Sequence, residues 1–367
     1  MADQSLLFSR IVTDLPETVP FVPPEELERK TGVKIRLRLG ANESSFGMSP
    51  LAREAMANSL GENHLYGDAL SFDLKEELAA RHGIGKEMIT VAGGIDELLG
   101  WIARVFLNPG EPVTASLGSY PTFHYHVAGF GGRLHQVPYR KGKNDLDALA
   151  DTARHTGSRI VYLANPDNPT GTWFTADELK EFRRQLPADC LLLLDEAYIE
   201  FAPEKAHFPV DPADPGVIRT RTFSKAHGMA GLRVGYAFAH REIITAFDKI
   251  RNHFGVSRIA QTGALAALKD EGFVRQVVRE VAAGRREYEA VAKTLGFTAY
   301  PSATNFVAID TGDANRAAAI REALWQRGVF IRIPGVAPLN RCLRVSVGTP
   351  AERQEFVRIL REVVQEL

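Results

Sequence analysis

Leu191-Leu192-Leu193-Leu194-Asp195-Glu196-Ala197-Tyr198 sets four leucines in a row ahead of two acids. Consecutive apolar residues, without alternation, mark a strand covered on both faces, as in a parallel sheet flanked by helices. An acid at the end of such a strand falls where ligands bind in open α/β sheets, outside the carboxyl ends of the strands. Reading outward, further short apolar runs occupy 88–91, 112–117, 159–163, 217–221 and 234–239. Helical patterns lie between them. Leu98, Leu99, Ile102, Val105 and Phe106 share one helix face. Thr175-Ala176-Asp177-Glu178 is a capping box ahead of Leu179, Phe182 and Leu186, and Pro187 closes that helix. This alternation predicts βαβ units, right-handed crossovers and a doubly wound, mostly parallel sheet.

The 367 residues leave room for two domains at about 150 residues each. The alternating pattern spans 45–255 and predicts the large domain. Beyond it, Phe273, Val277, Val278, Val281, Tyr288, Val291, Ala292 and Leu295 trace one long helix. Strand patterns at 305–309, 329–333 and 342–347 follow, with a helix ending near Gly328. A last helix opens on Thr349-Pro350-Ala351-Glu352, a capping box with proline at its first position. Residues 256–367 therefore predict a smaller α+β domain. Residues 1–44 carry Pro16, Pro20, Pro23 and Pro24 and predict an extended arm packing on the small domain or on a partner.

Lys+Arg 44 against Asp+Glu 45 leaves a net charge of -1, which argues against a nucleic-acid binder and against attraction to anionic membranes. A hydrophobic fraction of 45% excludes disorder as the main state. Two cysteines, Cys190 and Cys342, make no disulfide framework and read as buried thiols. No run has signal-peptide character, and the densest apolar run, 191–194, is far short of the ~20 residues of a membrane span. The expected location is the cytoplasm.

Four constellations carry chemistry. Thr222-Phe223-Ser224-Lys225 follows a strand and precedes Gly228, Gly231, Arg233 and Gly235. A lysine sheltered there has its pKa lowered by desolvation and can attack a carbonyl; a lone lysine is otherwise a surface charge. Arg233, Ser224 and Thr222 offer a phosphate grip. Asp195 could hold a metal or pair with a heterocyclic nitrogen, and the missing G-x-x-x-x-G-K-[ST] disfavours metal. Asn165-Pro166-Asp167-Asn168-Pro169-Thr170-Gly171 is a turn of defined shape presenting the Asn168 amide. Val91-Ala92-Gly93-Gly94-Ile95 reads as strand, glycine pair, helix start, where free N–H groups bind anions, although a glycine pair alone often serves packing.

In this order and spacing the four segments resemble the class I/II, fold-type-I pyridoxal-phosphate-dependent aminotransferases, over nearly the whole chain. Asn42-Glu43-Ser44-Ser45-Phe46-Gly47-Met48-Ser49-Pro50, Tyr66-Gly67-Asp68, the segment 221–225 and Leu343-Arg344-Val345-Ser346-Val347-Gly348-Thr349 are most similar to the histidinol-phosphate aminotransferase branch. The resemblance implies pyridoxal 5'-phosphate as cofactor, with Lys225 bonded to it and then shuttling the α-proton. It implies that Asp195 keeps the ring nitrogen protonated and that Asn168 and Tyr198 bind the ring oxygen. Thr222, Ser224, Arg233 and the amides near Gly94 and Ile95 would hold the phosphate. Phe123 matches the aromatic that stacks on the cofactor, where the family more often has tyrosine. Arg344 matches the arginine gripping the substrate's anionic end beside Asn168, and Arg332 lies near a second such position. Tyr66 resembles the tyrosine that reaches the neighbouring subunit's phosphate, which implies a homodimer with shared sites. The reaction implied moves an amino group between an amino donor and a 2-oxo acid in two halves through a pyridoxamine form.

Two departures bear on the substrate. The branch commonly has a tyrosine near the N-terminus where this chain has Phe21, and Phe123 lacks a hydroxyl as well. Two missing polar contacts point to a less polar or non-phosphorylated donor. His124 and His126 form an x-His-x-His pair without further ligands, read as structural, and no metal is expected. The rival readings are an aromatic or other amino-acid aminotransferase, a decarboxylase or cyclase on the same scaffold, and a non-catalytic cofactor-binding regulator. A nucleotide-binding ATPase or dehydrogenase lacks its phosphate loop here.

Overall fold

The computed structural model describes residues 7–16, 22–209, 211 and 213–367. Its centre is a seven-stranded sheet of β1 (Ile89–Ala92), β2 (Pro112–Ser116), β3 (Arg133–Val137), β4 (Ile160–Ala164), β5 (Leu191–Asp195), β6 (Val217–Thr222) and β7 (Gly235–Phe238), in the order β1-β7-β6-β5-β4-β2-β3. β7 is antiparallel to both of its neighbours and the remaining pairs are parallel, so six strands run one way. Every residue of β4 and β5 is buried, as the unbroken apolar runs require. The strand not read from sequence is β3, whose Arg-Leu-His-Gln-Val is partly exposed because it is the sheet's edge.

The helices on the sheet follow their predicted faces. Ile95–Phe106 buries Leu98, Leu99 and Ile102. Ala176–Gln185 opens on the Thr175–Glu178 capping box and buries Leu179 and Phe182. The carboxyl ends of β1, β4, β5 and β6 share one edge, which brings Gly94, Asn168, Asp195 and Lys225 to the same side of the sheet.

The remainder packs around the long helix Glu271–Thr294. A three-stranded antiparallel sheet sets Phe306–Asp310 between Cys342–Ser346 and Thr298–Ala299. Val281, Tyr288, Phe306, Ile320, Phe356 and Leu360 fill its core, and Leu37 and Leu39 join them. Val329–Phe330 pairs instead with Leu37–Arg38, in parallel. The N-terminal segment thus docks on the smaller unit. The expectation of an extended arm is corrected within its described residues, which form helices Arg10–Asp14 and Pro24–Thr31. Pro24 sits at the first helical position, Glu25 and Glu26 in the first turn, and left-handed Gly32 ends the second helix. Past residue 255, Arg258–Lys269 still packs with the large sheet's side. Ala260, Ala264 and Ala267 meet Ala52, and a Cβ on Gly263 would stand 2.7 Å from Met56 Sδ. Among the described residues no helix is long and apolar enough to cross a membrane.

Candidate active site

At the shared strand edge lies a cavity of about 220 Å³ walled by Asp195, Tyr198, Lys225, Asn168, Tyr120 and Arg233 among others. Lys225 enters from the loop after β6. Left-handed Gly228 (φ 70°) seats that loop against the 47–48 backbone, where a Cβ would stand 1.7 Å from the Gly47 carbonyl oxygen. The Lys225 Nζ donates to the Asn42 carbonyl at 3.2 Å. Burial first, then the nearby Arg344 charge, pushes its pKa down to about 8, so the neutral, nucleophilic amine is within reach at ordinary pH.

Asp195 ends β5 and is buried. Its Oδ2 accepts from Tyr162 Oη at 2.8 Å and its Oδ1 from the Ala197 N–H at 3.0 Å. Burial pushes its pKa up to about 6, and it has no ion pair among the described residues. A cationic ring nitrogen is the partner such a carboxylate lacks. The Tyr198 oxygen accepts from Asn42 Nδ2 at 3.0 Å, and burial pushes the phenol up to about 12. Asn168 projects from its turn, which Asp167 clamps through the Thr170 N–H and Oγ1 at 3.1 and 2.7 Å.

One end of the cavity is an anion cradle. Gly94 (φ 92°) caps Ile95–Phe106 with no side-chain hydrogen bond, so the helix's first N–H groups lack intrahelical acceptors. Arg233 Nη1 approaches Ser224 Oγ at 3.4 Å and its Nη2 meets Asp96 Oδ2 at 3.4 Å, while Thr222 Oγ1 donates to Ser224 Oγ at 2.9 Å. A Cβ on Gly94 would stand 2.4 Å from Arg233 Nη2. Glycine is required there both for its φ and for the guanidinium.

Beside the cavity, Arg344 reaches Asn168 from strand Cys342–Ser346. Its Nη1 donates to Asn168 Oδ1 at 2.7 Å and its Nη2 to the Gly40 carbonyl at 3.0 Å. Its Nε is buried with no partner among the described residues, and burial lowers its pKa to about 10. This cation stands just behind Asn168 without an ion pair among the described residues.

Several expected residues lie elsewhere. Phe123 is fully buried and stacks on Tyr162 at 4.7 Å instead of lining the cavity. Tyr120 lines the cavity together with Tyr162 and Tyr198, and its hydroxyl donates to Asp96 Oδ1 at 2.8 Å. Pro121 begins the helix Pro121–Gly129, which leaves Tyr120 outside it at the N-cap and turns Phe123 into the sheet's core. A tyrosine just before an N1 proline was the available signal. Arg332 faces Arg344 across an antiparallel bridge, yet its Nη2 donates to the Val22 carbonyl at 3.2 Å and it lines a separate groove with Trp325. Tyr66 is 76% exposed, stacked on Phe254 at 4.5 Å and away from this chain's own cavity. Phe21 lies outside the described residues. His124 Nε2 pairs with Ser119 Oγ at 3.0 Å, and burial holds both His124 and His126 below the usual imidazole range. Ala41 and Glu43 line the cavity, and Asn42 touches both Tyr198 and Lys225; no local pattern in the 42–50 segment assigns these roles.

A desolvated lysine, a buried unpaired carboxylate and an anion cradle at the switch edge of a doubly wound sheet define a group-transfer enzyme built around a phosphorylated carbonyl cofactor. The chain belongs to the aminotransferase class I and II family, whose model matches residues 34–360. It is similar to the histidinol-phosphate aminotransferase from Sinorhizobium meliloti, solved in complex with pyridoxal-5'-phosphate, at 45% identity and a TM-score of 0.95 over 99% of both chains. It is also similar to histidinol-phosphate aminotransferase 2 of Carboxydothermus hydrogenoformans, 35% identical over 97% of this chain and 99% of that one. Histidinol-phosphate aminotransferase 2 of Pseudomonas aeruginosa is 36% identical over 99% of each.

Proposed function

We propose that this chain is a pyridoxal-5'-phosphate-dependent aminotransferase that moves the amino group of histidinol phosphate to and from a 2-oxo acid such as 2-oxoglutarate. One observation carries the reading: Lys225, with its lowered pKa, shares a cavity with the buried Asp195 and with an anion cradle that only a glycine at position 94 leaves open. The donor set fits the cofactor. Lys225 would hold it covalently, Asp195 would pair its ring nitrogen, Tyr198 and Asn168 its ring oxygen, and Arg233, Ser224 and the N-terminus of Ile95–Phe106 its phosphate. Bound there, the cofactor supplies an electron sink for negative charge at the donor's amine-bearing carbon.

The remaining work falls to this chain's side chains. Lys225 Nζ takes the proton from that carbon and returns it, and a pKa near 8 suits both directions close to neutral pH. Tyr120 lines the same space. Arg344 binds the anionic end, a phosphate on the donor and a carboxylate on the acceptor, in turn. Tyr120 is a tyrosine at the cavity where the sequence predicts Phe123, and its hydroxyl is held by Asp96. Phe123 does not line the cavity, so its missing hydroxyl says nothing about the donor.

The working unit is a homodimer acting in the cytoplasm. Supporting this, Tyr66, expected to serve the neighbouring site, is exposed and stacks on the exposed Phe254, with exposed Leu65, Leu70 and Phe72 close to it in sequence, and both cysteines are free and buried. The test is spectroscopic. Protein loaded with pyridoxal 5'-phosphate is yellow, Lys225→Ala abolishes the lysine-bound band, and histidinol phosphate bleaches the band faster than phenylalanine or glutamate. Bleaching that is no faster with histidinol phosphate would refute the donor, and a wild type without the band would refute the whole reading.

A further inference from the structure

Asn42 is buried, and its φ of 56° places it in the left-handed region. Asparagine tolerates that region because its side chain can bond locally. Every polar group of this residue is engaged. The N–H donates to Ser346 Oγ at 3.1 Å, and the Ser346 hydroxyl donates to Asn42 Oδ1 at 3.2 Å. The carbonyl accepts from Asn305 Nδ2 at 3.0 Å and from Lys225 Nζ at 3.2 Å. The side-chain Nδ2 donates to the Tyr198 oxygen at 3.0 Å.

The network sets a direction. Ser346 Oγ accepts the Asn42 N–H and gives its own proton to Asn42 Oδ1, so the carboxamide oxygen faces the serine. The opposite end is then the amide nitrogen, and it donates to Tyr198. A phenol carries one proton, and with Nδ2 supplying a donor to its oxygen, that proton is left for the cavity that Tyr198 lines. The charges bearing on the amine are those of Arg344, Asp96, Glu43 and Arg233, and Arg344, Asp195 and Asp167 bear on the phenol.

We infer that Asn42 is a positioning residue: its carboxamide keeps Tyr198 a donor toward the cavity, and its carbonyl docks the Lys225 amine when that amine is free. The inference rests on the function proposed above. There, a donor to the cofactor's ring oxygen stabilises the anion and lowers the apparent pKa of the lysine-bound chromophore. Asn42→Gly keeps the left-handed backbone and the carbonyl and removes only the carboxamide.

The experiment is a spectrophotometric pH titration of protein loaded with pyridoxal 5'-phosphate, for the wild type, Asn42→Gly, Tyr198→Phe and the double variant. Asn42→Gly is expected to raise the chromophore pKa by about 0.7 unit with Tyr198 present. In the Tyr198→Phe background the rise should fall to less than about 0.2 unit. No shift, or equal shifts in the two backgrounds, overturns the assignment. Should Asn42→Gly fail to fold, Asn42→Asp fills the same space and draws the Tyr198 proton to itself. Its rise must then be larger with Tyr198 than with Tyr198→Phe, and equal rises overturn the assignment. A wild type that binds the cofactor without a titrating band refutes the proposed function and this inference together, whereas a titrating wild type with an unmoved variant refutes the inference alone.

Discussion

Arg344→Met separates a residue kept for function from one kept for stability. The side chain is half-buried, its buried Nε has no partner among the described residues, and its two hydrogen bonds go to Asn168 Oδ1 and the Gly40 carbonyl. Charge-assisted hydrogen bonds contribute about 1.5–3 kcal/mol each. Burying a cation without a counter-ion costs several kcal/mol. The two nearly cancel, so the melting temperature of the cofactor-free protein should move by less than about 5 °C. With substrate bound, the guanidinium meets its missing anion, and that contact is worth about 2–5 kcal/mol in the transition state. The variant should therefore lose roughly 30-fold to several-thousand-fold in kcat/KM for histidinol phosphate. Stopped-flow bleaching of the cofactor band measures this, with histidinol, which lacks the phosphate, as the control donor. Losses of equal size for the two donors would refute the anion-binding role. A fall in melting temperature beyond about 10 °C would show that Arg344 holds the fold together.

Lys225 titrates near 8 because burial disfavours its charged form, so the neutral amine grows as pH rises through that value. The rate at which cofactor-free protein takes up pyridoxal 5'-phosphate should climb through about pH 8 and level off above it, and a midpoint near the ordinary lysine value of 10.5 would contradict the burial. Gly94→Ala forces a Cβ to within 2.4 Å of Arg233 Nη2 at a φ of 92°. It should cost about 1–2 kcal/mol of stability by thermal melting and weaken cofactor binding by about tenfold in equilibrium dialysis. Tyr66 stands 76% exposed and outside its own cavity. Mixing Tyr66→Ala with Lys225→Ala protein should restore activity, because the mixed dimer rebuilds one intact site, whereas additive residual rates would deny shared sites.

The chemistry at the strand ends was legible because it lies on local patterns. Asp195 is the residue at which an unbroken apolar run stops, Asn168 follows a second run of that kind, and Lys225 lies in the Gly-rich segment after the mixed strand Val217–Thr222. The capping boxes at Thr175 and Thr349 formed as read, since their partners lie three residues apart. Strand β3 was missed because a half-exposed edge strand mixes charged and apolar residues without a clear period. Phe123 was misplaced because the choice between it and Tyr120 turns on where Pro121 starts a helix and which face then meets the sheet. The two arginines of the smaller unit look alike in sequence. Arg344 reaches Asn168, whereas Arg332 turns to the Val22 carbonyl.

By itself, the sequence determined the doubly wound sheet, most of its alternation of strands and helices, and the identity of the lysine, acid and asparagine that meet at its edge. These follow from periodicity and from residue types within a few positions of one another, where covalent geometry limits the outcomes. Only the tertiary structure decided that Tyr120 and not Phe123 lines the cavity, which arginine reaches Asn168 and how Asn42 ties Tyr198 to Lys225. Those contacts join residues as far apart as Asn42 and Ser346, and the packing of whole elements, which no local pattern encodes, sets the direction of each hydrogen bond.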